Sequence, residues 1–347
     1  MEEHQHPAEE PSSPAGCAQC GFPVIEEGYP TPLCATCRKA FIRFPIPNGI
    51  KIFGGVILLI LVFAMIKVPK SLSAGIHLAR GRDAIDHARY ATAEREFQQV
   101  VRQAPKYTEG EEYLAMASFY NGDLSTFFQT VEHLEGKNVE NEDMYRELSR
   151  LIAKGPNYFP ADSLFAIYTA YQKSFDSIPE PVYLAYMQKY PDELFPVMMY
   201  ASVVFDKKQY VACDSLLDVI LQRDEIYLPA LLMKTSVKRE RSQLDSAEQY
   251  GRRILALNSE SAMGMSSLAR TRLKGKRDKE GLDWAQKAVA ANPDNVYAKA
   301  TLAMAWHFNN ERGKRDRLLD ELKKDTAATD HTTYVVDVIE GREKFRD

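Results

Sequence analysis

The feature that most constrains this chain is a spacing of 34 residues that recurs along most of its length. Cys213, Ala247, Gly281 and Arg315 follow one another at this interval. Bulky apolar residues keep a common phase with them, at Val101, Met187, Leu221, Leu255 and Val289. Prolines that can end a helix stand on the same grid at positions 105, 191 and 293. A period of this length predicts hairpins of two helices, each too small to bury its apolar side alone, so that neighbours must stack.

The segment from Gly281 to Pro293 carries the pattern most clearly, reading G-L-D-W-A-Q-K-A-V-A-A-N-P. It resembles the second helix of the tetratricopeptide repeat (TPR) family, with glycine in place of the family's first alanine. The resemblance implies an all-α TPR-type solenoid over residues 74–329, with about seven hairpins. Residues 330–347 are expected to form a C-terminal helix that caps the last repeat.

Residues 142–193 depart from this grid. Residues 142–159 fit no repeat, and we expect an additional helix followed by a loop at Gly155-Pro156. The next repeat contains Ile178-Pro179-Glu180-Pro181 where a helix should already be running, so its second helix is expected to start late. Cys213 takes a small position of its repeat and is expected to lie in the core.

Four of the five cysteines form two C-x2-C pairs, Cys17 with Cys20 and Cys34 with Cys37. A gap of two residues lets both thiolates of a pair face one ion, and two pairs complete a tetrahedron. The segment 17–40 resembles a small zinc ribbon, which implies one structural Zn2+ with no open coordination position. Two disulfides and a rubredoxin-like iron site are the alternatives.

The run Ile52–Ile66 contains no charged residue and is bracketed by Lys51 and Lys67. With its neighbours it is long enough for a membrane span, and we expect a single transmembrane helix over 50–68, ended by Pro69. The alternatives are a buried core helix and a cleaved signal peptide. A core helix would show a polar face, and a signal peptide would not follow a cysteine-rich, metal-binding segment. The preceding residues, 1–16, have the composition of a disordered tail.

Basic residues flank the span equally on both sides, so they do not set its orientation. Thiolates survive best in a reducing compartment. The N-terminus is therefore expected to be cytoplasmic, and the repeat domain periplasmic or otherwise extracytoplasmic.

A formal net charge of -4 argues against nucleic acid as a partner. The sequence contains no recognisable catalytic or nucleotide-binding motif, so an enzyme and a small-molecule substrate are not indicated. We expect a membrane-anchored scaffold or adaptor that binds proteins or peptides in the concave groove of the solenoid. The first alternative is a transmembrane regulator whose cytoplasmic zinc ribbon docks a protein or nucleic-acid target. A hydrolase hidden within 142–193 is the second.

In TPR solenoids the groove is lined by side chains of the first helix of each hairpin. About half of the candidates are expected to pack between helices instead. The Lys and Asn residues with which some family members hold a peptide carboxylate are replaced here by Met, Ser, Leu and Thr. The candidates are Met116, Phe119, Tyr168, Tyr171, Met198, Phe205, Met233, Arg270, Tyr297, Met304 and His307.

Overall fold

The structure, a computed structural model, describes residues 16–42, 46–324 and 329–346, without the side chains of 42, 64, 66–70, 329 and 330. Apart from Gly16, the predicted tail over 1–16 lies outside the described residues. The chain divides into two compact units, Met1–Pro69 and Lys70–Asp347. Each unit is described separately below.

The first unit contains the cysteine segment, the helix α1 (Ala35–Ile42) and the beginning of α2 (Asn48–Asp86). The apolar side chains that α2 carries here are exposed, for example Leu59 at 70%. Among the side chains that the structure describes, no helix combines the length and the apolar character that a membrane crossing needs. The prediction that the helix ends at Pro69 is wrong: α2 continues to Asp86. A proline removes one backbone hydrogen bond and can be tolerated as a local irregularity.

The second unit is built from helices throughout, and no strand occurs within residues 16–42, 46–324 and 329–346. After α2 the helices are α3 (Tyr90–Gln103), α4 (Thr108–Asn121), α5 (Leu124–Leu134), α6 (Glu142–Ile152), α7 (Asp162–Ala170), α8 (Glu180–Lys189), α9 (Leu194–Asp206), α10 (Tyr210–Arg223), α11 (Leu228–Glu240), α12 (Leu244–Leu257), α13 (Ala262–Lys274), α14 (Asp278–Ala291), α15 (Val296–Phe308), α16 (Arg312–Leu322) and α17 (Thr329–Ile339). Single-turn 3-10 helices stand at Gly155–Asn157 and Phe175–Ser177.

The 34-residue period is visible in the helix boundaries. The first helices of four consecutive hairpins begin at Leu194, Leu228, Ala262 and Val296, and their second helices at Tyr210, Leu244, Asp278 and Arg312. The turn inside each hairpin holds one residue in the left-handed region, at Lys208, Ser242, Lys276 and Asn310. Such a residue reverses the chain within a short turn, which lets the second helix pack back on the first. The prediction of an all-α, TPR-type solenoid is confirmed by these hairpins.

Between α6 and α9 the repeat is irregular. α6 is followed by a 3-10 turn and the short helix α7, and α8 begins only at Glu180, directly after Pro179. Proline supplies no backbone N–H donor, so this position at a helix start costs no internal hydrogen bond. Tyr227 at the start of α11 donates through its hydroxyl to the carbonyl of Asn157 at 2.6 Å, which ties the irregular segment to the regular repeats.

Small and apolar side chains fill the core between helices. Cys213 is fully buried, as predicted, and burial raises the pKa of its thiol to about 12. Leu217 and Ile220 of the same helix are equally buried. On α17, Val335 is buried against the apolar residues of α15 and α16. This helix therefore covers the apolar end of the last repeat.

Hairpins that are distant in sequence also touch. Ser259 donates its backbone N–H to the carbonyl of Ala88 at 2.8 Å. Thr92 donates its backbone N–H and its hydroxyl to Glu260, at 2.7 and 2.8 Å, across a separation of 168 residues. Asn258 accepts from the backbone N–H of Tyr90 at 3.3 Å. The array thus closes partly on itself instead of contacting only sequence neighbours.

Glu94 on α3 makes this region sensitive to pH. Its side chain is buried and accepts a hydrogen bond from Asn121 at 2.6 Å, and burial raises its pKa to about 7. Because the folded-state pKa lies above the ordinary value, this group stabilises the fold fully below about pH 4.5 and loses that contribution as the pH rises through about 7.

We expect Glu94→Gln to raise the free energy of unfolding by roughly 1–3 kcal/mol at pH 8 and to change it little at pH 4. Urea denaturation at both pH values measures this, and equal effects at the two would contradict it.

Candidate functional site

The four clustered cysteines have the geometry of a tetrahedral metal site. Their Sγ atoms all lie within 4.8 Å of one another, and the Sγ atoms of Cys20 and Cys34 are 3.7 Å apart. Four sulfurs at about 2.3 Å from one zinc ion are separated by about 3.8 Å, whereas a disulfide bond is about 2.05 Å long. The spacing therefore fits Cys17, Cys20, Cys34 and Cys37 around one ion.

Local backbone structure directs these thiols inward. Gly21 has a φ of 70° and donates its N–H to the carbonyl of Cys17 at 2.9 Å, which closes the first turn. The second pair stands at the start of α1, where the N–H of Cys37 points at the Sγ atom of Cys34 from 3.5 Å. Glycine suits the first turn because it reaches positive φ without steric cost.

The thiols also influence one another's ionisation. A backbone hydrogen bond from Cys34 is the main reason that the pKa of Cys17 falls to about 6. The neighbouring thiols of Cys20 and Cys34 raise the pKa of Cys37 to about 12. Four thiolates at this distance repel, and a bound dication removes that repulsion. The donor set suits a soft or borderline ion such as Zn2+.

Arg38 fixes the loop between the two pairs. It donates to the carbonyl of Thr31 at 3.0 Å, and its guanidinium lies 3.7 Å from the ring centre of Tyr29. These contacts tie the start of α1 to the loop that precedes the second pair of cysteines.

We expect the purified chain to contain close to one equivalent of zinc, and Cys37→Ser to lose it, because three thiolates and a hydroxyl bind zinc far more weakly than four thiolates. Elemental analysis by mass spectrometry measures the stoichiometry and separates zinc from iron. Cys213→Ala is the matched control and should retain the ion. A metal-free parent chain, or a Cys37→Ser variant with a full equivalent, would contradict the assignment.

The repeat unit contains an apolar cavity of about 420 Å³. Four of the predicted groove residues line it, namely Phe119, Phe205, Met233 and Tyr297. The remaining lining residues are Gly122, Leu124, Tyr158, Leu228, Pro229, Leu232, Ser236, Met263, Ser267 and His331. Most of the lining residues belong to α11, α13 and α15, which are first helices of their hairpins. One wall is formed by α4 and the turn after it, which are distant in sequence from these three helices.

The other groove candidates lie elsewhere. Met116, Met198 and Met304 are buried in the helix packing. Tyr168 and Tyr171 belong to the irregular segment, where Tyr168 packs on Phe175 and Tyr171 borders the core. His307 contacts Arg315 at 3.2 Å, and burial, aided by that positive charge, lowers its pKa. Arg270 lines a second cavity of about 450 Å³ that shares Phe205 and Tyr297 with the first.

Arg239 is a lining residue of this second cavity that sequence reasoning missed. It stands 34 residues after Phe205, at the same position of the next repeat, so the register that selected Phe205 also selects Arg239. A basic residue between Lys238 and Glu240 resembles an exposed helix end, yet the structure buries it to 4% exposure.

Comparison with known proteins gives likenesses in fold only. No family model matches the sequence, and no curated protein matches it. A tetratricopeptide repeat protein from Parabacteroides merdae aligns with 11% identity and a TM-score of 0.42, over 78% of this chain and 99% of that one. The TPR2AB-domain:pHSP90 complex of yeast Sti1 aligns with 16% identity and a TM-score of 0.27, over 77% and 96%. A thermophilic TPR protein of Thermus thermophilus gives 18% and 0.26, over 67% and 98%. At these scores the fold assignment rests on the hairpins of this chain.

Proposed function

We propose that this chain is a membrane-anchored scaffold that binds partner proteins through the concave face of its solenoid. The observation that carries the proposal is the apolar cavity lined by Phe119, Phe205, Met233 and Tyr297. Monomeric soluble domains usually cover such concave apolar surface, and surface left open serves binding. Methionine and aromatic side chains adapt their shape to an extended or helical peptide segment.

Charge placed in the cavity should abolish this binding. We expect Met233→Asp to reduce recovery of specific partners at least tenfold, since a carboxylate would be buried against apolar surface. The measurement is quantitative mass spectrometry of proteins that co-purify with the tagged chain. Val211→Asp is the matched control, because Val211 lies on the second helix α10 and is 67% exposed. The melting temperatures of Met233→Asp and of the milder variant Met233→Ala show whether the fold stays intact. Equal partner recovery from Met233→Asp and Val211→Asp would contradict the proposal.

The membrane anchor is proposed from the exposed apolar side chains of α2, which include Ile52 at 68% and Met65 at 77% exposure. A continuous apolar surface of this kind is costly in water and is stable in hydrocarbon. The uncharged run of the sequence extends from Ile52 to Ile66. We expect the chain to resist alkaline extraction from membranes, and a variant lacking 50–68 to be released.

The proposed orientation places the N-terminus in the cytoplasm and the repeats on the other side of the membrane. Cys213 cannot report on this because it is fully buried. Asp192→Cys offers a labelling site whose parent side chain is fully exposed. Cells with a permeabilised outer layer are treated with a maleimide that does not cross the inner membrane. The proposed orientation predicts that the maleimide modifies the new cysteine and does not reach a tag at the N-terminus.

The second candidate is a regulator whose ribbon docks a cytoplasmic target. It is favoured by the exposed apolar side chains of the ribbon, Phe22 at 56% and Val24 at 66%. Cys34→Ser separates the two functions: loss of the biological output with partner binding by the solenoid intact would favour the regulator.

A further inference from the structure

Two arginines that line the second cavity are buried without adequate hydrogen-bond partners. Arg239 on α11 is 4% exposed and Arg270 on α13 is 6% exposed. The Nε and Nη1 atoms of Arg239 and the Nη2 atom of Arg270 are buried and have no hydrogen-bond acceptor. Buried polar groups are nearly always satisfied, and buried charges are normally paired. These N–H groups therefore point to an acceptor that the protein does not itself supply.

The partners that the two guanidiniums do have are few. Arg239 donates to the hydroxyl of Ser236 at 3.1 Å, and Arg270 donates to the hydroxyl of Thr301 at 2.9 Å. Glu240 stands 3.6 Å from the Nε atom of Arg239. The same carboxylate also pairs with Lys274 at 3.1 Å. Within the part of the chain that the structure describes, Arg270 forms no ion pair.

Aromatic rings hold Arg270 in place. Its guanidinium lies 4.1 Å from the ring centre of Tyr297 and 5.5 Å from that of Tyr334. Burial lowers the pKa of Arg270, which nevertheless stays charged because guanidinium is so basic. Two positive charges thus stand side by side, and Glu240 offsets part of one of them. Asp206, Glu343 and Lys208 also line this cavity, so its acidic and basic side chains balance in number, and what the two guanidiniums still lack is hydrogen-bond acceptors.

This charged site opens onto apolar surface. The cavity of about 450 Å³ that Arg239 and Arg270 line shares Phe205, Ser236 and Tyr297 with the apolar cavity of about 420 Å³. Both volumes fall in the usual range of small-molecule sites, which are mostly apolar with a few fixed polar groups. The apolar cavity is also bounded by α4 and its turn, where Gly122 lies close to Leu228. This wall comes from outside the four regular hairpins.

We propose that the joined site binds a small carboxylate-bearing amphiphile, with its carboxylate on Arg239 and Arg270 and its apolar chain against Leu232, Met233 and Met263. A planar carboxylate matches the guanidinium fork and offers two acceptor oxygens to the buried N–H groups that have no partner. The inference goes beyond the protein-binding role, and it stands whether or not a partner protein also uses the groove.

Calorimetric titration of the purified 347-residue chain tests the proposal with octanoate, 1-octanol and acetate as probes. Octanoate should bind, and octanol and acetate should bind at least tenfold more weakly, because one lacks the charge and the other the apolar chain. An acetylated alanyl-leucine dipeptide is the fourth probe, and it represents the carboxyl end of a partner protein. Equal binding of octanoate and octanol, no binding of octanoate, or preferential binding of the dipeptide would overturn the proposal.

Variants locate the site. We expect Arg270→Met and Arg239→Met each to weaken octanoate binding roughly tenfold to a hundredfold and to leave octanol unchanged. Replacing a poorly satisfied buried charge by a side chain of similar volume should not destabilise the fold, and the melting temperature checks this. Arg252→Met is the matched control, since the side chain of Arg252 is 63% exposed on α12. Octanoate affinity equal among Arg270→Met, Arg239→Met and Arg252→Met would place binding elsewhere and overturn the proposal.

Discussion

Replacing Asp214 by alanine is expected to lower the free energy of unfolding by roughly 3–5 kcal/mol. Asp214 pairs with Lys234 at 2.7 Å, with Lys238 at 2.7 Å and with Arg241 at 2.5 Å. Lys234 is only 1% exposed, so loss of Asp214 leaves a buried ammonium with Asp218 as its remaining carboxylate. Breaking a buried pair from one side is costly because the other charge stays desolvated. Urea denaturation monitored by circular dichroism measures the change.

A double replacement supplies the control. Asp214→Leu combined with Lys234→Met removes both buried charges and fills similar volume, and it should recover most of the lost stability. A free energy of unfolding for Asp214→Ala within about 0.5 kcal/mol of the parent value would contradict the prediction. It would mean that these ion pairs are solvated and add little to stability.

The second large effect is expected at the contact between distant hairpins. Asn258 is 3% exposed, accepts from the backbone N–H of Tyr90 at 3.3 Å and donates to the side chain of Asn121 at 3.0 Å. Asn258→Ala leaves these groups without partners, and we expect a loss of roughly 2–3 kcal/mol. Amide exchange in residues 84–92 should accelerate, because this turn depends on the contact.

Asn292 is the matched control, since it occupies the same position in the next repeat and is exposed. Asn292→Ala should cost less than about 1 kcal/mol, because its side chain only bonds the nearby N–H of Asp294. Equal losses from the two replacements would mean that the distant contact adds nothing to stability.

The regular part of the fold follows from sequence periodicity. Residues at 34-residue spacing predict hairpins, and the structure begins successive first helices at Leu194, Leu228 and Ala262. Local chemistry dictates these elements, because apolar phase, turn residues and prolines act over short distances. The cysteine pairs could also be recognised from local spacing, because a gap of two residues lets both thiols of a pair face one ion. The structure brings the two pairs together, with all four Sγ atoms within 4.8 Å of one another.

The remainder depends on contacts that periodicity does not encode. The bond between Thr92 and Glu260 joins residues 168 positions apart, and nothing in either segment marks them as partners. The groove was predictable only in part for a related reason. Met304 and Phe205 both lie on first helices, but the packing of neighbours buries Met304 completely and leaves Phe205 to line the cavity.

A photo-crosslinking amino acid placed at position 233 in living cells tests the central claim most directly. Position 233 lines the cavity, and position 211 on the outer helix is the matched comparison. If the concave face holds partners, ultraviolet light should produce a discrete crosslinked protein at 233 and none of that species at 211. Crosslinks to that species at 211 but not at 233, or no specific product at 233 when partners co-purify, would contradict the account.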